Sequence, residues 1–311
     1  MADANVIIQS CDLVNFPVHR RTLAISSPVF DDMFSLPQPQ PPDKEVIDGL
    51  PVVRLPEDAE VLSSLITMLY PIPSMLPNAY DKALMLLAAS QKYDMVGVQS
   101  HIRAEIQGRV FPPLTQAETF RSYAISSSGG LLSEREESAR LTLEFPMTFE
   151  TICDELPSFQ GWALRDLVGF RKRCRDNIVS CFGSFLNLGQ PPFDIWVPCT
   201  DKHRYPSSYL MPPRAPWLTQ LFQNRLNESR EAFSKPLFNP QSIRGEYLSA
   251  LQAHITSSDC TSCTKVHTMN GERFCKELTD RLTLALNEVC VSIFWKNYGS
   301  LNIRLLRYAW I

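Results

Sequence analysis

The chain has little histidine, little glycine and no long apolar run: 5 His and 12 Gly among 311 residues. Its longest apolar stretches, such as LMLLAA at Leu84–Ala89, fall far short of the roughly 20 residues a membrane-spanning helix needs. It also lacks the common signatures of catalysis. There is no phosphate loop of the form GxxxxGK followed by Ser or Thr, no GxGxxG, no HExxH and no GxSxG, so nucleotide, zinc-protease and serine-hydrolase chemistry have no motif to stand on. An excess of positive charge is missing too. Thirty Lys and Arg face 33 Asp and Glu, a net charge of −3, which speaks against coating nucleic acid or adhering to anionic membranes. The opening MADANVII has no basic run before an apolar core, so no secretory signal is expected. Nine cysteines at irregular spacing then fit free thiols in a reducing compartment, and a cytoplasmic or nuclear location is the expectation. The formal glycosylation sequon at Asn227-Glu228-Ser229 carries no role in that setting.

What is present is the composition of a folded protein, 44% apolar and 20% charged, long enough for one or two domains each with its own core. The first section begins with two strand-like runs, NVIIQS at Asn5–Ser10 and VNFPVH at Val14–His19, separated by a turn at Asp12. Helical spacing follows. His19 and Leu23, four apart, share a face. Ser26-Ser27-Pro28 interrupts the helix; Pro28 suits the first position of a new one and Ser27 its cap. Val29, Phe30, Met33 and Phe34 form the next apolar stripe. Residues 36–51, with five prolines and Gly49, read as an exposed loop. Leu50–Leu55 reads as a strand. Glu57 and Asp58 open a helix carried by Val61, Leu62, Leu65, Ile66 and Leu69 and stopped by Pro71 and Pro73. Asn78 is expected to cap a helix running to Tyr93, and Val98, Ile102 and Ile106 mark another.

Residues 111–190 read as helical throughout. Phe120, Tyr123 and Ala124 form one stripe, Ser126–Gly130 a break, and Ala139, Leu141 and Leu143 a second stripe; two or more helices are expected between Leu156 and Phe185. Residues 191–216 are a proline-rich connection. Residues 217–311 carry three further helical patterns, one around Leu218–Leu226, one from a Ser242 cap to Ile255, one through Phe274, Leu278, Leu282, Ala285 and Val289. No solenoid-type repeat is visible.

The first section resembles the BTB/POZ family. Asn5–Ile8, Val18-His19, Leu23-Ala24, Ser27, Phe30 and Met33-Phe34 carry the likeness, with Val52–Leu55, Leu62–Tyr70, Leu86-Leu87 and Lys92-Tyr93-Asp94-Met95. LLAASQKYDM is similar to the family's fourth helix, where a leucine pair precedes a lysine-tyrosine. The FSLPQPQPP loop, with LTLEFPMTFE, GWALRDLVGFRKRCRD, SIRGEYLSALQAHI and GERFCKEL, looks like BTB proteins of mushroom-forming fungi, and the likeness reaches to about residue 290. AETFRSYAIS and ESARLTL resemble loosely the BACK helices that follow many BTB domains. The resemblance implies an α+β N-terminal domain over 1–110, a small sheet flanked by helices, followed by an all-α C-terminal half, BACK-like in part. It implies a module that binds proteins: itself or a related chain as a homo- or hetero-dimer, or a cullin scaffold. In the cullin case the helical half would present a substrate to a ubiquitin ligase. The family's N-terminal exchanged arm has no counterpart before Asn5, so strand-exchanged dimerisation is not expected. The final NYGSLNIRLLRYAWI fits none of the pattern.

Individual residues sharpen the expectation. His19 is expected inward with Leu23 as a structural histidine bonded to backbone, and His101 at the surface. If those two face inward, Arg21 and Ile25, also four apart, face out, and both become candidates for partner contact. The run Phe170-Arg171-Lys172-Arg173-Cys174-Arg175 reads as the solvated face of a helix buried through Leu164, Leu167, Val168, Cys174 and Ile178. Without a DNA-reading element beside it, nucleic acid is not an expected partner.

One cluster points elsewhere. Cys260-x2-Cys263-x3-His267-x7-Cys275 offers the donor types of a tetrahedral zinc shell. The last gap is longer than in common zinc knuckles, and Cys275 also fits an apolar helix face. Cys199 and His203 are substitute ligands. The expectation is therefore thiols without cofactor and a non-catalytic protein. The alternative is structural zinc supporting a C-terminal enzyme or nucleic-acid-binding (transcriptional regulator) domain attached to a BTB core. Elemental analysis of protein purified without a metal-affinity tag separates the two. Thiols alone give zinc far below stoichiometric and a helical circular-dichroism signal indifferent to chelator. The alternative gives about one zinc per chain and loss of helix on chelation.

Overall fold

A computed structural model describes residues 3–36, 46–70, 76–187 and 276–289, with isolated helical positions at 224, 227, 245, 249, 272 and 273. These fall into two compact units. One holds residues 3–138 and 155–160; the other holds 139–154 and the described residues from 161 onward.

The first unit opens with strands β1 (Val6–Gln9) and β2 (Asn15–Val18), paired antiparallel with Val6 opposite Val18 and Ile8 opposite Phe16. The turn between them places Leu13 at φ 65°, and Ser10 N–H donates to the Val14 carbonyl at 3.0 Å. Bonded pairs alternate from that closure, so Pro17, opposite Ile7, turns its backbone outward, where its missing N–H leaves no ladder bond unmade. Helices α1 (Arg20–Ser26) and α2 (Pro28–Ser35) then carry the chain to the other side of β1. There β3 (Val46–Ile47) and β4 (Leu50–Arg54) form a hairpin, and β4 runs parallel to β1, giving the order β2-β1-β4-β3. All of β1 is buried, as suits a central strand.

The short strand β3 corrects the expectation of loop throughout 36–51. Asp48 and Gly49 both have positive φ, 50° and 78°, the two-residue turn that joins twisted strands and favours Asp-Gly. That dipeptide was the sequence signal for a hairpin. Residues 37–45 lie outside the described residues.

Helices α3 (Ala59–Leu69), α4 (Tyr80–Lys92) and α5 (Val96–Gly108) complete the sheet's cover. Asp58 caps α3 by accepting from Val61 N–H at 2.8 Å, and Val61, Leu62, Leu65 and Ile66 are buried. Asn78 does not cap α4. Ala79 holds that position without a side-chain bond, and Asp81, the second residue of the helix, is buried and accepts from Lys82 N–H. Beyond residue 109 every described regular element is helical. Helix α6 (Gln116–Ser128) starts in a reciprocal capping box between Thr115 and Glu118. It buries Phe120, Tyr123 and Ala124, but Ser126 and Ser127 belong to it rather than to a break. The Ser126 hydroxyl donates to the Tyr123 carbonyl, which lets a serine stay buried in a helix end. The turn falls at Gly129-Gly130. Helix α7 (Leu132–Leu141) follows.

In the second unit a 3-10 turn, Thr142–Glu144, and the short α8 (Phe149–Ile152) precede α9 (Gly161–Asn187), a single long helix where two or more were expected. A last described helix covers 276–289 and buries Leu278, Leu282, Leu286 and Val289. Asn177 donates to the Ala285 carbonyl and Arg140 to Asn287.

The basic run on α9 contains the largest correction. Arg171 is 0% exposed. Its Nη1 donates to the Thr142 carbonyl and its Nη2 to that of Phe145, at 2.8 Å, so the guanidinium closes the 3-10 turn. Burial pushes its pKa down to about 10, far enough above neutrality to leave the charge in place. Lys172 and Arg173 are the exposed members. Spacing explains the placement: Arg171 follows Leu167 by four and precedes Cys174 and Ile178 by three and seven, all buried. Val168, expected inside, is exposed.

A pair of glycine substitutions tests the α4–α6 packing. A Cβ on Gly129 would lie 2.7 Å from Ala88 Cβ and 3.1 Å from the Ile125 carbonyl, whereas one on Gly97 would meet nothing within 4 Å. Gly129→Ala is expected to destabilise by about 1–3 kcal/mol. Gly97→Ala, inside α5, is expected to stabilise by about 0.5–1 kcal/mol. Urea unfolding of the two variants against the parent reads both signs.

Candidate protein-interaction face

The corner between α1 and α2 is fixed by Ser27, which is fully buried. Its hydroxyl oxygen accepts from Phe30 N–H at 3.2 Å, the expected cap, and donates its proton to the Tyr93 carbonyl at 2.5 Å. Phe30 stacks on Tyr93 with ring centres 4.9 Å apart and on Phe34 at 6.0 Å, and the Arg20 guanidinium lies over the Phe34 ring. Tyr93 in turn donates its phenol proton to Glu57, which also takes Lys92 at 2.7 Å. Burial, then the Glu57 carboxylate, hold the Tyr93 phenol above its ordinary pKa, so it remains a donor. Met33 and Phe34 are half-buried at the edge of this stack and Leu23 is inside.

His19 is at the base of α1 but is not bonded to backbone through its ring. It is half-buried, its side chain 26% exposed. The Tyr70 hydroxyl accepts from His19 N–H at 3.2 Å and lies 3.0 Å from His19 Nδ1. Nε2 is 3.0 Å from Asp3 Oδ1. This bond, then the attraction to the imidazole, lowers the Asp3 carboxyl pKa. The imidazole thus joins the start of the chain to Tyr70, the residue that ends α3.

Outward from this core, Arg21 and Ile25 are exposed, Ile25 to 76%. Ile25 is at the lip of a groove of about 640 Å³. Pro28 from α2, Leu69 and Tyr70 from the end of α3, and Val96 and Val98 from the start of α5 form its walls. Val96 is 63% exposed. Three separate stretches of sequence therefore place apolar atoms around one concavity, the kind of surface a partner's side chain fills. Sequence reasoning found Ile25 by spacing but not the groove. Val96 was legible only as part of a helix, and nothing local to it announces Pro28 or Leu69 as neighbours. His101 is exposed at the same groove, as expected of a surface histidine.

The zinc candidates Cys260, Cys263, His267 and Cys275, and the substitutes Cys199 and His203, lie outside the described residues. Among the described residues no group of three or more His, Cys, Asp or Glu is arranged to hold a metal ion. Cys11, Cys153, Cys174 and Cys181 are not in disulfides. Among the same residues no helix is long and apolar enough to cross a membrane.

The model described as BTB/POZ domain matches residues 2–109, the stretch from the first strand through α5. Residues 2–109 form a BTB/POZ domain, a protein-interaction domain rather than a catalyst. No curated protein matches the chain.

Ser27→Ala tests whether the corner depends on one hydroxyl. It removes the cap of α2 and leaves the buried Tyr93 carbonyl without its donor. A loss of about 2–3 kcal/mol is expected in chemical denaturation, against less than about 1 kcal/mol for Ala at the half-buried neighbour Ser26.

Proposed function

We propose that the protein is a non-catalytic adaptor whose BTB/POZ domain associates with a second BTB chain, its own or a related one, or with a cullin scaffold. In the cullin arrangement the helical region after residue 110 presents a substrate to a ubiquitin ligase. The observation that carries this reading is the exposed Ile25 at the lip of the groove between α1, α3 and α5, a surface that water covers only at a cost. The domain assignment supports protein partners as a class. Arg21, exposed one turn before Ile25 on the same side of α1, supplies a charged rim to the apolar centre.

Chemical crosslinking in native lysate with mass-spectrometric identification tests the proposal. The expected products are the chain joined to a BTB protein or to a cullin. Ile25→Asp, which puts a charge where an apolar contact forms, is expected to lower their yield by about tenfold to a hundredfold while the circular-dichroism spectrum stays unchanged. Recovery of neither class of partner, or equal yield from the variant, removes the adaptor reading or this face from it respectively.

A further inference from the structure

Helix α9 concentrates positive charge in a chain whose net charge is −3: between Arg165 and Asp176 it holds five cations and two carboxylates. One of the five, Arg171, is buried; the other four are not. The two carboxylates serve their sequence neighbours, Asp166 taking Arg165 at 3.3 Å and Asp176 taking Arg175 at 2.8 Å. Lys172 and Arg173 have no acidic partner among the described residues. At about 100° per residue, Trp162, Arg165, Val168, Gly169, Lys172 and Arg173 share one side of the helix, opposite the buried Leu167, Cys174 and Ile178. Trp162 is 40% exposed and Val168 39%, so apolar surface lies among the cations. Gly169 leaves a notch in the same face. The nearest atoms a Cβ there would meet are those of the Arg173 guanidinium, at 3.6 Å.

We propose that this face of α9 is a docking surface for an acidic protein segment that carries an apolar side chain between its carboxylates. Charge sets the sign of the partner, because two cations without a carboxylate of their own gain ion pairs from outside. Arg165 and Lys172 are seven residues apart, about 10 Å along the axis. Carboxylates three residues apart in an extended segment span about the same distance and reach both. An apolar residue between them then meets Val168, which lies between the two cations along the axis, or Trp162 one turn before Arg165. The result is a small apolar centre inside a charged rim. A nucleic-acid backbone suits the face less well. Its phosphates would satisfy the cations but leave Trp162 and Val168 unmatched, and a net charge of −3 repels a polyanion from the chain as a whole. The inference goes beyond the adaptor reading. It gives the helical region a partner chemistry of its own, and it holds whichever chain the BTB/POZ domain takes.

Fluorescence anisotropy tests the face, with the full chain titrated into a fluorescein-labelled peptide of repeating glutamate-leucine-serine at physiological salt. The peptide is expected to bind, and a peptide of repeating glutamate-serine-serine to bind at least about tenfold more weakly. Lys172→Glu combined with Arg173→Glu is expected to lower affinity for the leucine peptide at least about tenfold, with the circular-dichroism spectrum unchanged. Lys172→Gln with Arg173→Gln, which removes charge without reversing it, carries the test should the reversal disturb the fold, and is expected to weaken binding in the same sense. Val168→Asp is expected to weaken it through the apolar centre. Ile25→Asp is expected to leave it unchanged, so failure of this face and failure of the surface on α1 are told apart. No binding by the wild type, or equal binding by the charge variants, overturns the proposal. So does equal affinity for the serine peptide, which leaves charge alone at work. Tighter binding of oligothymidylate than of the leucine peptide also overturns it and assigns the face to nucleic acid.

Discussion

The buried hydrogen bond from Ser27 to the carbonyl of Tyr93 is the constraint on which the N-terminal unit turns. One small side chain serves two distant pieces of backbone, starting α2 and terminating α4. Because a serine oxygen accepts and donates at once, no apolar residue of the same size can replace it. The stack of Phe30 on Tyr93 forms around that bond, and Tyr93 reaches on to Glu57 just before α3. Three helices are thereby referred to a single point. The groove inherits its shape from this point, since α1 leads directly into the corner and α5 begins three residues after Tyr93.

His19 and Tyr70 fix the opposite wall. The half-buried imidazole is a spacer whose two nitrogens face different partners, one at the end of α3 and one near Asp3. Tyr70, which lines the groove, meets both the backbone N–H and the Nδ1 of His19 through its hydroxyl. A protein-binding surface and a packing core share residues here, and this is economical in a domain of little more than a hundred residues.

Much of the first unit was legible in the sequence because its rules are local. Ser27 before Pro28 and Asp58 before an apolar run are capping patterns that need no tertiary information, and the order of hairpin, helices and strand follows from them. The misreadings have local causes too. Asp48-Gly49 was absorbed into a proline-rich neighbourhood, although that dipeptide alone specifies a tight hairpin. Asn78 has the chemistry of a cap, but the helix starts two residues later, at Tyr80, a ring buried against Phe111. The charge of Arg171 points to the surface, but its spacing from Leu167, Cys174 and Ile178 places it inside, where two carbonyls receive it. The groove was illegible for a different reason. Its residues come from three separated stretches, and only the folded chain brings them together. The second unit is less readable still, since helical periodicity identifies a buried face without saying what covers it.

The outward-facing Pro17 has a consequence for assembly. The sheet ends on one side with β2, whose free edge lacks a donor at that position, and on the other with the two-residue β3. Among the described residues, neither rim offers a long run of unpaired backbone to template another chain. Adding a further strand to either edge of this sheet is therefore disfavoured.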